Sequence, residues 1–183
     1  MDEPLINLAL NYPHIVLDIR YATTNNFLGK KIYSQPKAYL RKSVAEKIGR
    51  IQQRLEKKGL GLKIWDAYRP LPVQEKLWET IADERYVADP KKGSSHNRGA
   101  AVDLTLVTHD KIELVMPTEF DSFSEQAHSG ALTLSPESGL NRDLLRDAMA
   151  SEGFIVLPTE WWHFDDEYTA SYSLLSTPFE ELD

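Results

Sequence analysis

Hydrophobic positions recur at intervals of three and four over residues 43–58, a spacing that predicts an amphipathic helix. The apolar positions of this pattern are Val44, Ile48, Ile51 and Leu55. Ser43 and Glu46 have the spacing of a capping box at its start, and Gly59 is suited to end it. We therefore expect a helix here with one face buried in the core.

Further segments have the patterns of regular elements, because short apolar runs predict strands and three-to-four spacing predicts helices. In chain order they are a strand at 62–65, a helix at 72–82, a strand at 100–107, a helix at 142–151, and two strands at 154–157 and 161–164 separated by Pro158. Few connections have the form of a regular crossover between parallel strands. We therefore expect an α+β fold, a single domain over residues 1–183 in which helices flank a mainly antiparallel sheet.

The composition is that of a globular protein and narrows the possible partners. The 183 residues are enough for one domain with a substantial core, and 42% of them are hydrophobic. The net charge of −7 argues against nucleic acid and anionic membranes as partners, since both reward clustered Lys and Arg.

The chain contains no cysteine, which excludes disulfides and thiolate metal ligands. A metal would therefore be held by nitrogen and oxygen atoms. The start of the chain is acidic and leads into no long apolar run, so no signal peptide is expected. No apolar segment approaches the roughly 20 residues needed to span a bilayer. We expect a cytoplasmic protein, or a periplasmic one if the chain is a processed form.

The predicted strand at 100–107 has one apolar face and one face that carries a carboxylate. Alternation along a strand places one set of side chains in the core: Val102, Leu104 and Leu106. Asp103 lies on the opposite face with the small residues Ala101 and Thr105, where its carboxylate projects into space that a metal could fill. His96 precedes this strand across a tight turn, in which Gly99 allows backbone angles that other residues resist.

A second group of polar residues lies near the C-terminus. His163 stands among aromatic residues that would penalise an unpaired imidazole, and Glu160 precedes it by three positions. The two side chains would share a face on a helix but point oppositely on a regular strand. Because Pro158 and the aromatic run favour a strand, Glu160 must lie outside it or at a bulge if both residues serve one site.

Together the two segments supply two imidazoles and two carboxylates. Three such groups can hold a zinc ion with an open position for water, and the fourth can transfer protons beside it. The pattern therefore indicates a zinc peptidase. The alternative for His96 and Asp103 is a loop histidine and a solvated strand residue. The alternative for Glu160 and His163 is a strand with a structural Glu–Arg pair.

Arg69 ends an apolar strand, and the following Pro70 biases the chain there toward extended geometry. A guanidinium near a zinc centre can stabilise the oxyanion that forms when water adds to a peptide carbonyl. The alternative is a structural ion pair with Asp66 or another acid.

These residues carry a resemblance to a known family. The segments 94–103 and 160–163 match the Ser-x-His-x-x-Gly-x-Ala-x-Asp and Glu-x-x-His motifs of the zinc D-Ala-D-Ala peptidases. More closely, the chain resembles the D-alanyl-D-alanine dipeptidases, including the vancomycin-resistance type. Further shared stretches run in the expected order at 20–22, 26–30, 65–70, 103–106 and 120–121. The resemblance implies a small α+β domain of the Hedgehog and D,D-peptidase type, with the metal over an antiparallel sheet.

Carried over position by position, the resemblance implies that His96, Asp103 and His163 are the ligands of one zinc ion per chain. It makes Glu160 the general base and acid, and Arg69 the group that stabilises the tetrahedral intermediate.

Three further residues match substrate-binding positions of the family. Ser94 is placed to hold the substrate carboxylate, while Tyr21 and Asp121 resemble the groups that line the amino end. The expected substrate is a small dipeptide, D-alanyl-D-alanine, which metal-activated water would hydrolyse to two D-alanines. The alternatives are a D,D-carboxypeptidase or peptidoglycan endopeptidase with the same metal site, and a zinc-binding module without catalysis.

Overall fold

The computed structural model describes residues 3–84 and 87–182. Its elements alternate irregularly between strands and helices along the chain. In order they are β1 (Leu5–Asn7), α1 (Leu8–Asn11), β2 (Val16–Leu17), β3 (Tyr39–Arg41), α2 (Lys42–Glu56), β4 (Leu60–Asp66), α3 (Leu71–Thr80), β5 (Ala101–Thr108), α4 (Pro136–Ala150), β6 (Phe154–Leu157) and β7 (Glu160–Asp166).

The main sheet has five strands in the order β2-β4-β5-β7-β6. Its strand pairs are antiparallel except for the short parallel pair β2–β4. Strands β1 and β3 form a separate antiparallel pair. The predicted α+β fold with a mainly antiparallel sheet is confirmed, and the predicted strands lie within the observed ones or within one residue of them.

The extent of helix α2 was predicted well, but the residues that cap its start were not. Its N-cap is Arg41, because β3 runs directly into the helix, and the predicted capping box of Ser43 and Glu46 is wrong. The backbone N–H of Ser43 instead donates to the carboxylate of Glu3 at 2.8 Å, which satisfies one of the free donors of the first turn. Gly59 ends the helical region as expected, with a left-handed φ of 72°.

Helix α4 begins at Pro136, six residues before the predicted start at 142. The hydroxyl of Ser135 caps it by accepting a hydrogen bond from the backbone N–H of Ser138. Its first turns contain the exposed Leu140 and no buried apolar stripe, so hydrophobic spacing could not reveal them.

Strands β6 and β7 form a hairpin whose turn is Pro158 and Thr159. Val156 pairs with Phe164, but the next residue, Leu157, pairs with Glu160. The register shift between these pairs marks an irregularity at the start of β7. The sequence left two places for Glu160, outside the strand or at a bulge. It is the first residue of β7, next to this irregularity, so it need not point oppositely to the histidine three residues later.

The core forms where helices pack on one face of the sheet. Helix α2 packs against β4, and α4 packs against β5, β6 and β7. The apolar face of β5 is buried there, as predicted: Val102, Leu104 and Leu106. The opposite face of β5 is free to carry polar residues. Among residues 3–84 and 87–182, no helix has the length and apolar character needed to cross a bilayer.

Gln52 links α2 to the sheet, and its loss tests this packing. Its side-chain oxygen accepts a hydrogen bond of 2.8 Å from the backbone N–H of Leu62 in β4. We expect Gln52→Met to leave this buried donor unpaired and to lower the free energy of unfolding by about 1–3 kcal/mol. Urea denaturation measures the loss. The exposed Gln53→Met is the control, and equal midpoints for both variants would contradict the assignment.

Candidate active site

Three polar residues form a row across the centre of the sheet. Asp103 on β5 pairs with Asp66 on β4 and with His163 on β7. Directly paired residues on neighbouring antiparallel strands project from the same face. The strand register therefore brings two carboxylates and an imidazole together on the face opposite the helices, where the sequence predicted that Asp103 would point.

His96 approaches this row from a 3₁₀ turn, His96–Arg98, that precedes β5. The turn ends at Gly99, whose φ of 67° is left-handed and where an added Cβ would lie 2.7 Å from Leu5 Cδ2. The left-handed φ favours glycine here, and any side chain would also displace the end of Leu5. The His96 Nδ1 atom lies 2.6 Å from the carbonyl oxygen of Ala67, and since a carbonyl only accepts, Nδ1 carries the hydrogen. The Nε2 lone pair then faces Asp103 and His163.

The loop of His96 and the segment 66–70 are hydrogen-bonded to each other in both directions. Arg69 N–H donates to the carbonyl of His96 at 3.1 Å, and the Asn97 side-chain amide donates to the carbonyl of Arg69 at 2.8 Å. These bonds explain why two sequence motifs about 30 residues apart function as one structural unit.

The donor atoms of His96, Asp103 and His163 have the spacing of a metal site. His96 Nε2 lies 3.2 Å from His163 Nδ1. The Asp103 carboxylate oxygens lie 2.9 Å from His163 Nδ1 and 3.4 Å from His96 Nε2. Ligands held 2.0–2.1 Å from a tetrahedral zinc are separated by about 3.3 Å. The three residues therefore fit a zinc ion in number, chemical type and spacing.

The second nitrogen of His163 also has a partner. Its Nε2 lies 3.0 Å from an oxygen of Asp165, two residues further along β7. Burial would lower the pKa of His163, but Asp103 and Asp165 raise it well above its usual range. Burial would likewise raise the pKa of Asp103, but His96 and His163 hold it well below its usual range. In this cluster, the carboxylates therefore stabilise the protonated imidazole of His163, and the imidazoles stabilise the charged carboxylate of Asp103.

Glu160 lines the same cavity as these residues. Burial raises the pKa of Glu160 to about 7, with Asp103 adding to the increase and His163 opposing it. A carboxyl group whose pKa lies near neutrality can both accept and release a proton under physiological conditions.

Arg69 is held rigidly at the edge of the site. Its guanidinium donates to one Asp66 oxygen from Nε at 3.1 Å and from Nη2 at 2.7 Å, and to Gln74 from Nη1 at 2.8 Å. The hydroxyl of Tyr33 donates to the other Asp66 oxygen at 2.6 Å. The guanidinium carbon lies 5.3 Å from the centre of the Tyr21 ring. Arg69 therefore makes the structural ion pair with Asp66 and also lines the cavity.

Tyr21 and Asp121 meet on the far wall of the cavity. The Tyr21 hydroxyl donates to an oxygen of Asp121 at 3.0 Å. Phe120 anchors this loop by stacking on Trp65 with ring centres 4.9 Å apart. Burial raises the pKa of Asp121 well above its usual range, and the charge of Asp103 adds to the increase. An ammonium group would be a favourable partner for this carboxylate.

All eight residues singled out from the sequence line one cavity of about 300 Å³. They are Tyr21, Arg69, Ser94, His96, Asp103, Asp121, Glu160 and His163. Apolar side chains complete the wall: Phe27, Leu77, Val87, Phe123, Leu157 and Trp162. The structure thus brings together residues from both ends of the chain, while their individual roles remain predictions.

The sequence interpretation missed the residues that hold the site in place. Asp165 was recoverable, because residues two apart on a strand share a face and one of them was already a candidate ligand. Gln74 carried no such signal, since a glutamine on a helix is commonly exposed, yet it is fully buried and links Arg69 to the carbonyl of Ala88 at 2.7 Å.

Comparison with known proteins identifies relatives over nearly the whole chain. The model of the peptidase M15 family described as D-ala-D-ala dipeptidase matches residues 1–180. The D-alanyl-D-alanine dipeptidase of Escherichia coli strain K12 is 37% identical over 175 residues, which cover 96% of this chain and 91% of that protein. The D-alanyl-D-alanine dipeptidase of Enterococcus faecium is 33% identical over 182 residues, with coverage of 85% and 89%.

A more distant likeness is found among solved structures. A zinc complex of a variant of the vancomycin-resistance D,D-pentapeptidase VanY is 15% identical, with a TM-score of 0.48 and coverage of 74% of this chain and 77% of that one. The family match and the two dipeptidases are the informative findings, because each extends over most of the sequence. This chain belongs to the D-alanyl-D-alanine dipeptidase family of metallopeptidases.

Proposed function

We propose that this protein hydrolyses the D-alanyl-D-alanine dipeptide to two D-alanines at a zinc centre formed by His96, Asp103 and His163. The observation that carries the proposal is the spacing of their donor atoms, 2.9–3.4 Å, on one face of the sheet. Two nitrogens and one oxygen leave a fourth tetrahedral position open, which is the arrangement of a catalytic zinc site. A zinc ion there would lower the pKa of a bound water and polarise the scissile carbonyl.

Glu160 is the proton carrier in this proposal. It accepts a proton from the water whose oxygen attacks the carbonyl carbon, and it delivers that proton to the amine nitrogen as the C–N bond breaks. Burial raises its pKa to about 7 when no cation is present, and a nearby dication would lower the pKa and favour the carboxylate. Glu160 is therefore ionised before the attack and remains a good proton donor afterwards.

Arg69 stabilises the negative charge that develops on the carbonyl oxygen. Asp66 and Gln74 hold its guanidinium by three hydrogen bonds, so little reorganisation is needed during the reaction. A fixed cation in a buried site stabilises developing charge more than a mobile one in water. The ion pair with Asp66 is thus compatible with the catalytic role.

The two ends of the dipeptide have complementary groups in the cavity. The carboxylate of Asp121, held by Tyr21, fits the substrate ammonium, and the hydroxyl of Ser94 fits the substrate carboxylate. A cavity of about 300 Å³ suits a small ligand rather than a long peptide. This anion at the amino end favours a dipeptidase over a carboxypeptidase, which needs an open groove there.

A zinc-binding module without catalysis is the less favoured alternative. A structural zinc site is closed by four protein ligands, whereas this cluster has three among residues 3–84 and 87–182. A structural site also has no use for a buried carboxylate with a pKa near neutrality in the same cavity, as Glu160 has. The presence of Glu160 therefore favours an enzyme over a zinc-binding module without catalysis.

We expect Glu160→Gln to reduce kcat on D-alanyl-D-alanine by about 10²–10⁴-fold, because it removes the proton carrier. Zinc content should stay at one ion per chain, since Glu160 is not a ligand. Steady-state kinetics and elemental analysis provide the two readouts. Glu113→Gln, at an exposed position, is the matched control. Near-native turnover in Glu160→Gln would refute the role.

We expect His163→Ala, and separately His96→Ala, to lose both zinc and turnover, because each removes one of three ligands. Elemental analysis after dialysis against a chelator and back into zinc-containing buffer measures the metal. His109→Ala, which changes an exposed histidine, should keep one zinc per chain. Retention of zinc by both ligand variants would place the metal elsewhere.

We expect the wild-type protein to cleave D-alanyl-D-alanine but not its N-acetyl derivative, which has no ammonium group. Asp121→Asn should lower kcat/KM for the free dipeptide by about 10–100-fold, since a hydrogen bond to a charged group contributes about 1.5–3 kcal/mol. The exposed Asp110→Asn is the control. Comparable cleavage of the acetylated and free dipeptides would instead support the carboxypeptidase alternative.

A further inference from the structure

Asp165 occupies a position that the proposed reaction does not use. It follows His163 by two residues on β7, so the two side chains project from the same face. An oxygen of Asp165 lies 3.0 Å from His163 Nε2. On the neighbouring strand its register partner is Ala101, whose small side chain leaves room for the contact. Asp165 also lines the wall of the cavity.

The contact involves the nitrogen that points away from the metal cluster. His163 Nδ1 faces Asp103 and His96, at 2.9 and 3.2 Å. When the proposed metal takes Nδ1, Nε2 is the nitrogen left to carry a hydrogen. That N–H donates to Asp165. Ser95, in the loop before β5, is a second polar neighbour of the Asp165 carboxylate. Asp165 thus lies between this loop and the histidine.

The two histidines of the cluster differ in the partner of their outer nitrogen. His96 donates from Nδ1 to a neutral backbone carbonyl, that of Ala67. His163 donates from Nε2 to a carboxylate. A carboxylate partner fixes the ring and its tautomer as a carbonyl does, and its charge additionally makes the imidazole a stronger metal donor. The fold therefore provides one ordinary ligand and one that is strengthened.

We propose that Asp165 is a positioning residue that orients His163 and increases its affinity as a metal ligand. The inference rests on the proposed metal site. Asp165 acts only through the imidazole, because the His163 ring separates its contact from the cluster. The competing explanation is that Asp165 merely satisfies a buried N–H and supports the fold.

The test compares Asp165→Asn with Asp166→Asn, its neighbour on the strand. Asp166 is buried and bonded to Lys47 Nζ at 2.6 Å, away from the cluster, so its neutralisation measures the effect of losing a structural carboxylate. Competition with a chromophoric chelator gives the zinc dissociation constant, and thermal denaturation of the metal-free protein gives Tm. Asparagine keeps an acceptor oxygen next to His163 but removes the charge.

We expect Asp165→Asn to weaken zinc binding by about 10–100-fold, the usual effect of removing an outer partner of a metal-bound histidine. Asp166→Asn should lower Tm while zinc affinity stays within about twofold of wild type. Equal zinc affinity in wild type and Asp165→Asn, or an equal loss in both variants, would overturn the proposal.

A third variant separates failure of this inference from failure of the proposed function. If His163→Ala abolishes zinc binding while Asp165→Asn binds as tightly as wild type, the metal site stands and only the role of Asp165 is wrong. If His163→Ala binds zinc as tightly as wild type, the metal site is wrong and the inference falls with it.

Discussion

The register of β5 against its two neighbours is the constraint on which the site depends. Pairing of Asp103 with Asp66 on β4 and His163 on β7 places its carboxylate between the partner of Arg69 and a candidate metal ligand. A shift of one residue in either pair would turn a polar side chain toward the helices and a core side chain toward the cavity. The apolar face of β5 therefore secures the register, and the register builds the site.

Buried charges in this site are arranged as partners rather than isolated. Asp66 is matched by Arg69, and the two histidines stabilise the charge of Asp103. Glu160 and Asp121 lack such a full match, and burial raises the pKa of each. Isolated charges are costly in a protein interior, so these two groups are the ones poised to take a cation or a proton. The electrostatics thus support the roles proposed for Glu160 in proton transfer and for Asp121 in binding an ammonium group.

Sequence patterns predicted the features that repeat with a regular period and those carried by a motif. The faces of α2 and β5 follow from spacing. Spacing also required Glu160 to lie outside the strand or at a bulge if it shares a site with His163, and an irregularity lies next to it. The convergence of His96 with His163 follows from the resemblance to a family. The start of α4 was missed because its first turns have no buried stripe. The polar partner of the first turn of α2 was missed because the acceptor, the Glu3 carboxylate, lies 40 residues from Ser43 in the chain. Contacts set by tertiary packing leave no local signature.

The central claim is that His96, Asp103 and His163 hold one zinc ion, with His163 bound through Nδ1. Anomalous diffraction at the zinc edge from crystals of the zinc-loaded protein tests it most directly. The account predicts one strong peak per chain about 2.0–2.2 Å from His96 Nε2, an Asp103 oxygen and His163 Nδ1, with Asp165 outside the coordination sphere. A peak at other residues, or coordination of His163 through Nε2, would contradict it.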